Sequence, residues 1–150
     1  MKAHIGVDAD SGLVHTVRGT AANVGDVVEA NSLLHGHESD GYGDAGYQGA
    51  DKRLELRWHI AMKRSERKAL DLQQPIHALQ EQLERVKSKI RAKVEHPFRV
   101  IKRQFGHTKV RYRGLKKNTQ QLYTLFALAN LWMARARLLV NGPSKPVMAT

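Results

Sequence analysis

Cysteine is absent from the 150 residues. That removes disulfides, thiolate nucleophiles and thiolate zinc sites together, and it fits a reducing compartment. Long apolar runs are also missing, and no basic-then-apolar leader follows Met1. The chain is therefore expected to be neither membrane-spanning nor exported, and is read as cytoplasmic. No internal repeat is present. Acid is scarce in one part only: residues 1 to 50 carry a net charge of −5 and residues 51 to 150 a net charge of +16. A basic field of that size favours a polyanion as partner, nucleic acid before acidic lipid, because the basic helices also carry core-type stripes. The length suits one core and is short for two ordinary domains.

Residues 2 to 19 read as a β-hairpin. Ala3, Ile5 and Val7 alternate, "DADSG" supplies the turn, and a β-branched run resumes at Leu13 to Val17. Asp8 and Asp10 are then turn residues. A calcium loop is disfavoured by Gly12 at its fifth position and by the missing glutamate at its twelfth. Residues 23 to 34 suggest a helix capped by Asn23 or Gly25, with Val24, Val27, Val28 and Leu34 on one face. His35 and His37 follow in a glycine-rich loop with no other ligand clustered in sequence, the pattern of a solvated loop.

"YGDAGYQG" places three glycines around Asp44. The backbone turns sharply there, and one carboxylate projects from the end of a short strand. Taken alone, Asp44 reads either as an Asx turn or as a functional acid. A short helix is expected in "GADKRLELR", a strand over Trp58 to Lys63, and a polar connection in "RSERKALDLQQP". Pro75 opens a long helix whose apolar positions, Ile76, Leu79, Leu83, Val86, Ile90 and Val94, predict a packed column, with a kink from Pro97 just beyond Glu95.

On that helix Arg91, Glu95, Arg99 and Lys102 share a narrow face beside the stripe of Ile90, Val94, Phe98, Ile101 and Phe105. One acid is ringed by fixed cations. Two readings stand: an i,i+4 salt bridge from Arg91 to Glu95, or a metal ligand placed beside a nucleic-acid backbone. "GHTKVRYRGLKKN" holds five cations and Tyr112, suited to phosphates or simply solvated. Asn118 is expected to cap a final helix with Leu122, Leu125, Phe126, Ala129, Trp132, Met133, Ala136 and Leu139 as its apolar face. Residues 141–150 read as a flexible tail after a domain of residues 1–140.

Together, "KAHIGVDADSGLVHTV", "GDAGYQG", "WHIAMK" and "IRAKVEHPFRVIKRQFG" with the segments that follow it resemble the transposases of the insertion-sequence-five group, from Lys2 to Leu139. Arg91, Glu95 and Lys102 match the group's R-x3-E-x6-K pattern, while Ser88 stands where a tyrosine is usual. The resemblance implies a DDE enzyme with an RNase H-like α/β fold, a mixed sheet with flanking helices. Asp44 would be the second catalytic carboxylate and metal ligand, Glu95 the third, and Arg91 and Lys102 would assist at the DNA backbone. The implied cofactor is Mg²⁺, with Mn²⁺ as substitute, in a pair of ions about 4 Å apart that drives in-line phosphoryl displacement. The implied partner is double-stranded DNA at the ends of an insertion element. Arg91, Arg99, Lys102, Arg103, Lys109, Arg111, Arg113, Lys116 and Lys117 are the expected phosphate contacts, largely indifferent to base sequence.

In that group the first aspartate lies on a strand before the "KAHIGVD" match, so the chain is expected to lack the first strand of the sheet at its N-terminus. Alone it should bind Mg²⁺ weakly, cleave little, and be either marginally stable or self-associating through an exposed sheet edge. Asp8 is the one acid that could be tested as a replacement. The competing expectation is a non-catalytic DNA-binding remnant that interferes with a full-length transposase.

Overall fold

The computed structural model describes residues 1–50 and 56–140. The element order is β1 (Lys2–Val7), β2 (Val14–Thr20), α1 (Asp26–Glu29), a 3₁₀ turn (Asn31–Leu33), β3 (Asp40–Gly43), a second 3₁₀ turn (Ala45–Tyr47), β4 (Arg57–Ile60), α2 (Arg64–Lys68), α3 (Pro75–Arg103) and α4 (Leu115–Val140). This is a mixed α/β fold with two small sheets and two long helices. None of the described helices is long and apolar enough to cross a membrane.

The hairpin forms as its alternation predicts. β1 and β2 pair antiparallel from Lys2 opposite Thr20 to Gly6 opposite Thr16, with an irregularity before Val7 pairs with Val14. Asp8 closes the turn: its Oδ1 accepts from the Ser11 N–H and hydroxyl, each at 2.6 Å, and from the Asp10 N–H at 3.2 Å. Those bonds, the Ser11 hydroxyl first, hold the Asp8 carboxyl below its usual range. Ile5 and Val14 face inward and meet Val100 and Ile101 of α3 and Leu122, Phe126 and Ala129 of α4. The Asn130 side chain fastens β2 to α4, accepting from the Val14 N–H at 2.9 Å and donating to the Val14 carbonyl at 2.7 Å.

β3 and β4 form a separate parallel pair, Asp40 opposite Arg57 through Gly43 opposite Ile60. Two of the four β3 residues are buried glycines because no space remains for a side chain: a Cβ at Gly41 would lie 2.7 Å from Leu56 Cδ2, and one at Gly43 would lie 2.8 Å from Tyr47 Cβ. The sheets do not join. Among the described residues, the edge of β1 away from β2 and the edge of β3 away from β4 carry no backbone hydrogen bonds to another strand.

Several expectations need correction. The helix over residues 23 to 34 shrinks to the single turn of α1 and a 3₁₀ turn, and Val28 is exposed. Adjacent β-branched Val27 and Val28 propagate a helix poorly, and the Ser32 hydroxyl caps the carbonyl of Glu29. The strand at Trp58 stops at Ile60, and α2 occupies part of the supposed connection. α3 begins at Pro75 and runs through Pro97 without interruption, but its first three turns present the opposite face to the one expected. Ile76, Leu79, Leu83 and Val86 are exposed, whereas Glu84 is buried at 3% exposure. Asn118 lies within α4 and not at its cap; its amide donates to the carbonyls of Tyr112 and Gly114 and accepts from the Tyr112 N–H, stapling the basic loop to the helix. Leu139 is exposed, as is Trp132, over whose ring the Arg135 guanidinium sits at 4.1 Å. The short helix expected in "GADKRLELR" falls mostly on residues 51–55, outside the described residues, as does the expected tail, 141–150.

Candidate active site

The chain leaves β3 at Asp44, which caps the following 3₁₀ turn: its side chain accepts from the Gly46 N–H at 2.9 Å. The Asx geometry and the projecting carboxylate coexist, because only Oδ1 is engaged. Oδ2 faces Arg91, whose Nη2 is 4.0 Å away, and the Asp44 side chain is 51% exposed. Arg91 and Glu95 are one helical turn apart on α3 and line the same cavity as Asp44, about 760 Å³ in volume. The expected salt bridge between Arg91 and Glu95 is not formed; Arg91 reaches toward Asp44, and Glu95 has no ion-pair partner among the described residues.

The cavity is lined by residues of both β1 and β3. Its floor is the apolar side of α3 at Ile90, Val94 and Phe98. The Lys93 ammonium donates to the carbonyls of Ala9 and Asp10, the latter at 3.3 Å, holding the hairpin tip over α3. Asp26, in the single turn of α1, also lines this space. Its Oδ1 meets Lys2 Nζ at 3.0 Å and the buried His4 Nδ1 at 3.3 Å. The Asp26 and Asp44 carboxylates flank Gly46, where a Cβ would approach both. Tyr47 lies under this acidic group; burial, then the charges of Asp26 and Asp44, push its phenol up to about 12. It remains a neutral hydroxyl at any physiological pH.

Asp44 and Glu95 fit a divalent hard cation. Each offers a carboxylate oxygen free of protein cations closer than 4.0 Å, and both open into one water-accessible space, the donor type that Mg²⁺ selects. Asp8 lines the cavity too, but its Oδ1 is committed to the hairpin turn.

The remaining cations separate into two groups. Arg99, Lys102 and Arg103 are exposed on the last turns of α3; Lys109, Arg111, Arg113, Lys116 and Lys117 are exposed on the loop after it and the first turn of α4. Of the nine cations singled out from sequence, only Arg91 lines the cavity. Lys116 and Lys117 occupy a helix N-terminus, where the macrodipole disfavours cations. Their placement is costly in isolation and favourable beside an anion.

No solved structure matches the chain. The Transposase DDE domain family matches residues 1–131. With a pair of cavity-facing carboxylates, a strongly basic second part and that match over most of its length, the chain belongs to the Transposase DDE domain family.

Proposed function

We propose that the chain contributes Asp44 and Glu95 as two of the carboxylates of a metal-dependent phosphoryl-transfer site, in a transposase of the insertion-sequence-five group with an RNase H-like catalytic fold. The observation that carries this reading is the convergence of Asp44, Glu95 and Arg91 on one cavity from elements far apart in sequence. Divalent ions bound there would supply positive charge to the reacting phosphate. Asp44 and Glu95 would hold those ions, and the Asp44 orientation is set in advance by the Gly46 N–H. Arg91 restrains Asp44 and offers its guanidinium to a backbone phosphate. Arg99, Lys102 and Arg103 continue the cationic track along α3, and Lys109, Arg111, Arg113, Lys116 and Lys117 extend it onto the loop and α4.

Two carboxylates bind Mg²⁺ less firmly than three. Residues 1–150 alone are therefore inactive or nearly so. A third acid would come from a strand outside them, seated between the free edges of β1 and β3. Until such a strand is present, those edges favour self-association. The test is strand cleavage of duplex DNA with Mg²⁺ or Mn²⁺, on this chain and on the product read through from upstream at its locus. Cleavage only by the longer product, lost in Asp44→Asn and Glu95→Gln, is the expected result. Nicking by residues 1–150 that disappears in Glu95→Ala would overturn the inactivity.

The second reading, a DNA-binding remnant, rests on the exposed cations of the α3–α4 loop. It predicts salt-sensitive DNA binding that neither Asp44→Asn nor Glu95→Gln alters, and no cleavage by any extended product.

A further inference from the structure

His35 and His37 share their loop with Glu38, and the fold brings a third histidine to it. His15, on β2, meets His35 edge to face with ring centroids 4.7 Å apart. Glu38 lies in the same loop as His35, its Oε1 3.3 Å from His35 Nε2. One ligand atom each from His15, His35 and Glu38 can be chosen so that all lie within 4.8 Å of one another. We propose that His15, His35 and Glu38, which line the same cavity as Asp44 and Glu95 but share no ligand with them, form a binding site for a borderline transition-metal ion of the Zn²⁺ class.

The donor set and the spacing carry this. Two imidazoles and one carboxylate form a set that Zn²⁺ takes readily, whereas Mg²⁺ prefers oxygen and disfavours the two imidazoles. Zinc bonds of about 2.0–2.2 Å in a tetrahedron place neighbouring ligand atoms about 3.3 Å apart. The His35–Glu38 pair already has that separation, so closing the set requires only a side-chain adjustment of His15. Water would take the fourth position.

The ligands are also held by their surroundings. Both Glu38 oxygens accept backbone N–H bonds, from His35 at 2.9 Å and Gly36 at 2.8 Å, and each keeps a lone pair. Gly36 has φ +89°, a conformation that lets the loop fold back on Glu38. His15 Nδ1 is 2.9 Å from the Thr16 hydroxyl; with the proton on Nδ1, Nε2 is left as the donor atom. Such outer partners fix ring orientation at metal centres. The His15 ring also lies across Gly6, where a Cβ would come within 2.5 Å of its Cε1. An ion held here would tie β2 to the loop that leads into β3, and so to the strand that ends at Asp44.

The proposal does not depend on phosphoryl transfer. Its test is calorimetric titration of Zn²⁺ into the metal-free chain in excess Mg²⁺, which occupies sites built from oxygen alone. One Zn²⁺ per chain is expected, with affinity falling at least about tenfold in each of His15→Asn, His35→Asn and Glu38→Gln and unchanged in His77→Asn. Co²⁺ should give the intense visible bands of a tetrahedral ion. His35→Cys should retain binding and add a thiolate-to-metal absorption, which a purely structural role for His35 would not produce. Zinc affinity indifferent to all three ligand substitutions, or lost only in Asp44→Asn or Glu95→Gln, would overturn it. So would a His35→Cys complex without the thiolate band.

Discussion

Glu84 is the buried anchor of α3, and its removal should be felt throughout the helix that carries Arg91 and Glu95. Its Oε2 accepts from the Met62 N–H at 2.9 Å and its Oε1 from the Lys87 ammonium at 2.7 Å. Glu84→Ala leaves a backbone donor and an ammonium without that partner. Breaking a buried pair in this way costs about 3–5 kcal/mol. Lys87 keeps the Ile60 carbonyl at 3.1 Å and is 24% exposed, which places the loss near the lower end. About 3 kcal/mol corresponds to a fall in Tm of about 6–12 °C for a chain of this size. Glu84→Gln keeps an acceptor for Met62 and should cost about half as much. Burial raises the Glu84 pKa, but the Lys87 ammonium and the Met62 N–H outweigh it and hold the group below 4.5. A depressed folded pKa adds stability that is complete above the unfolded value and is lost as pH falls through the folded one. The gap between wild type and Glu84→Gln should therefore narrow below about pH 4.5. Thermal melts of the three proteins from neutral pH downward decide the matter. A Glu84→Ala melt within about 2 °C of wild type would refute the role given to this pair.

Asn130→Ala should cost about 2–3 kcal/mol by stripping both backbone partners from Val14, and hydrogen exchange at the Val14 amide should accelerate selectively. Arg67, then Arg85, hold Glu81 down to about 2, so its contribution is present above pH 4.5 and disappears as pH falls toward 2; a carboxyl titration by NMR should show that midpoint, and Arg67→Ala should raise it. Replacing Arg111 and Arg113 together by alanine should weaken DNA binding alike on unrelated duplexes and reduce the slope of log K against log salt by about 2; an altered base preference would contradict phosphate contact.

The hairpin was legible because strict alternation and a D-x-D-x-G turn admit few other structures. β3 was legible from its glycines, whose backbone freedom marks the point where Asp44 must project. The orientation of α3 was not. Apolar residues at three- and four-residue spacing from Ile76 to Val86 read as a core face, yet Glu81 and Glu84 turn inward because Arg67, Lys87 and the Met62 N–H gather on that side. No apolar periodicity in α3 records partners such as Arg67 on α2 and the Met62 N–H just after β4. The meeting of His15 with His35 is equally invisible along the chain, since only the packing of β2 against the loop after α1 brings them together. Asp44 and Glu95 could be named as a pair only through the family pattern; their common cavity is a property of the folded chain.

The outward stripe of Ile76, Leu79, Leu83 and Val86 also governs how copies of this chain behave in solution. At low salt a net charge of +11 opposes their approach and so weakens any contact through the apolar side chains. Raising salt to about 0.1 M shortens the reach of that repulsion to about 10 Å while leaving the apolar surface as attractive as before. Ionic strength that would strip a polyanion from the basic second part therefore also lowers the chain's colloidal stability, so low salt would favour both dispersal and any contact with nucleic acid.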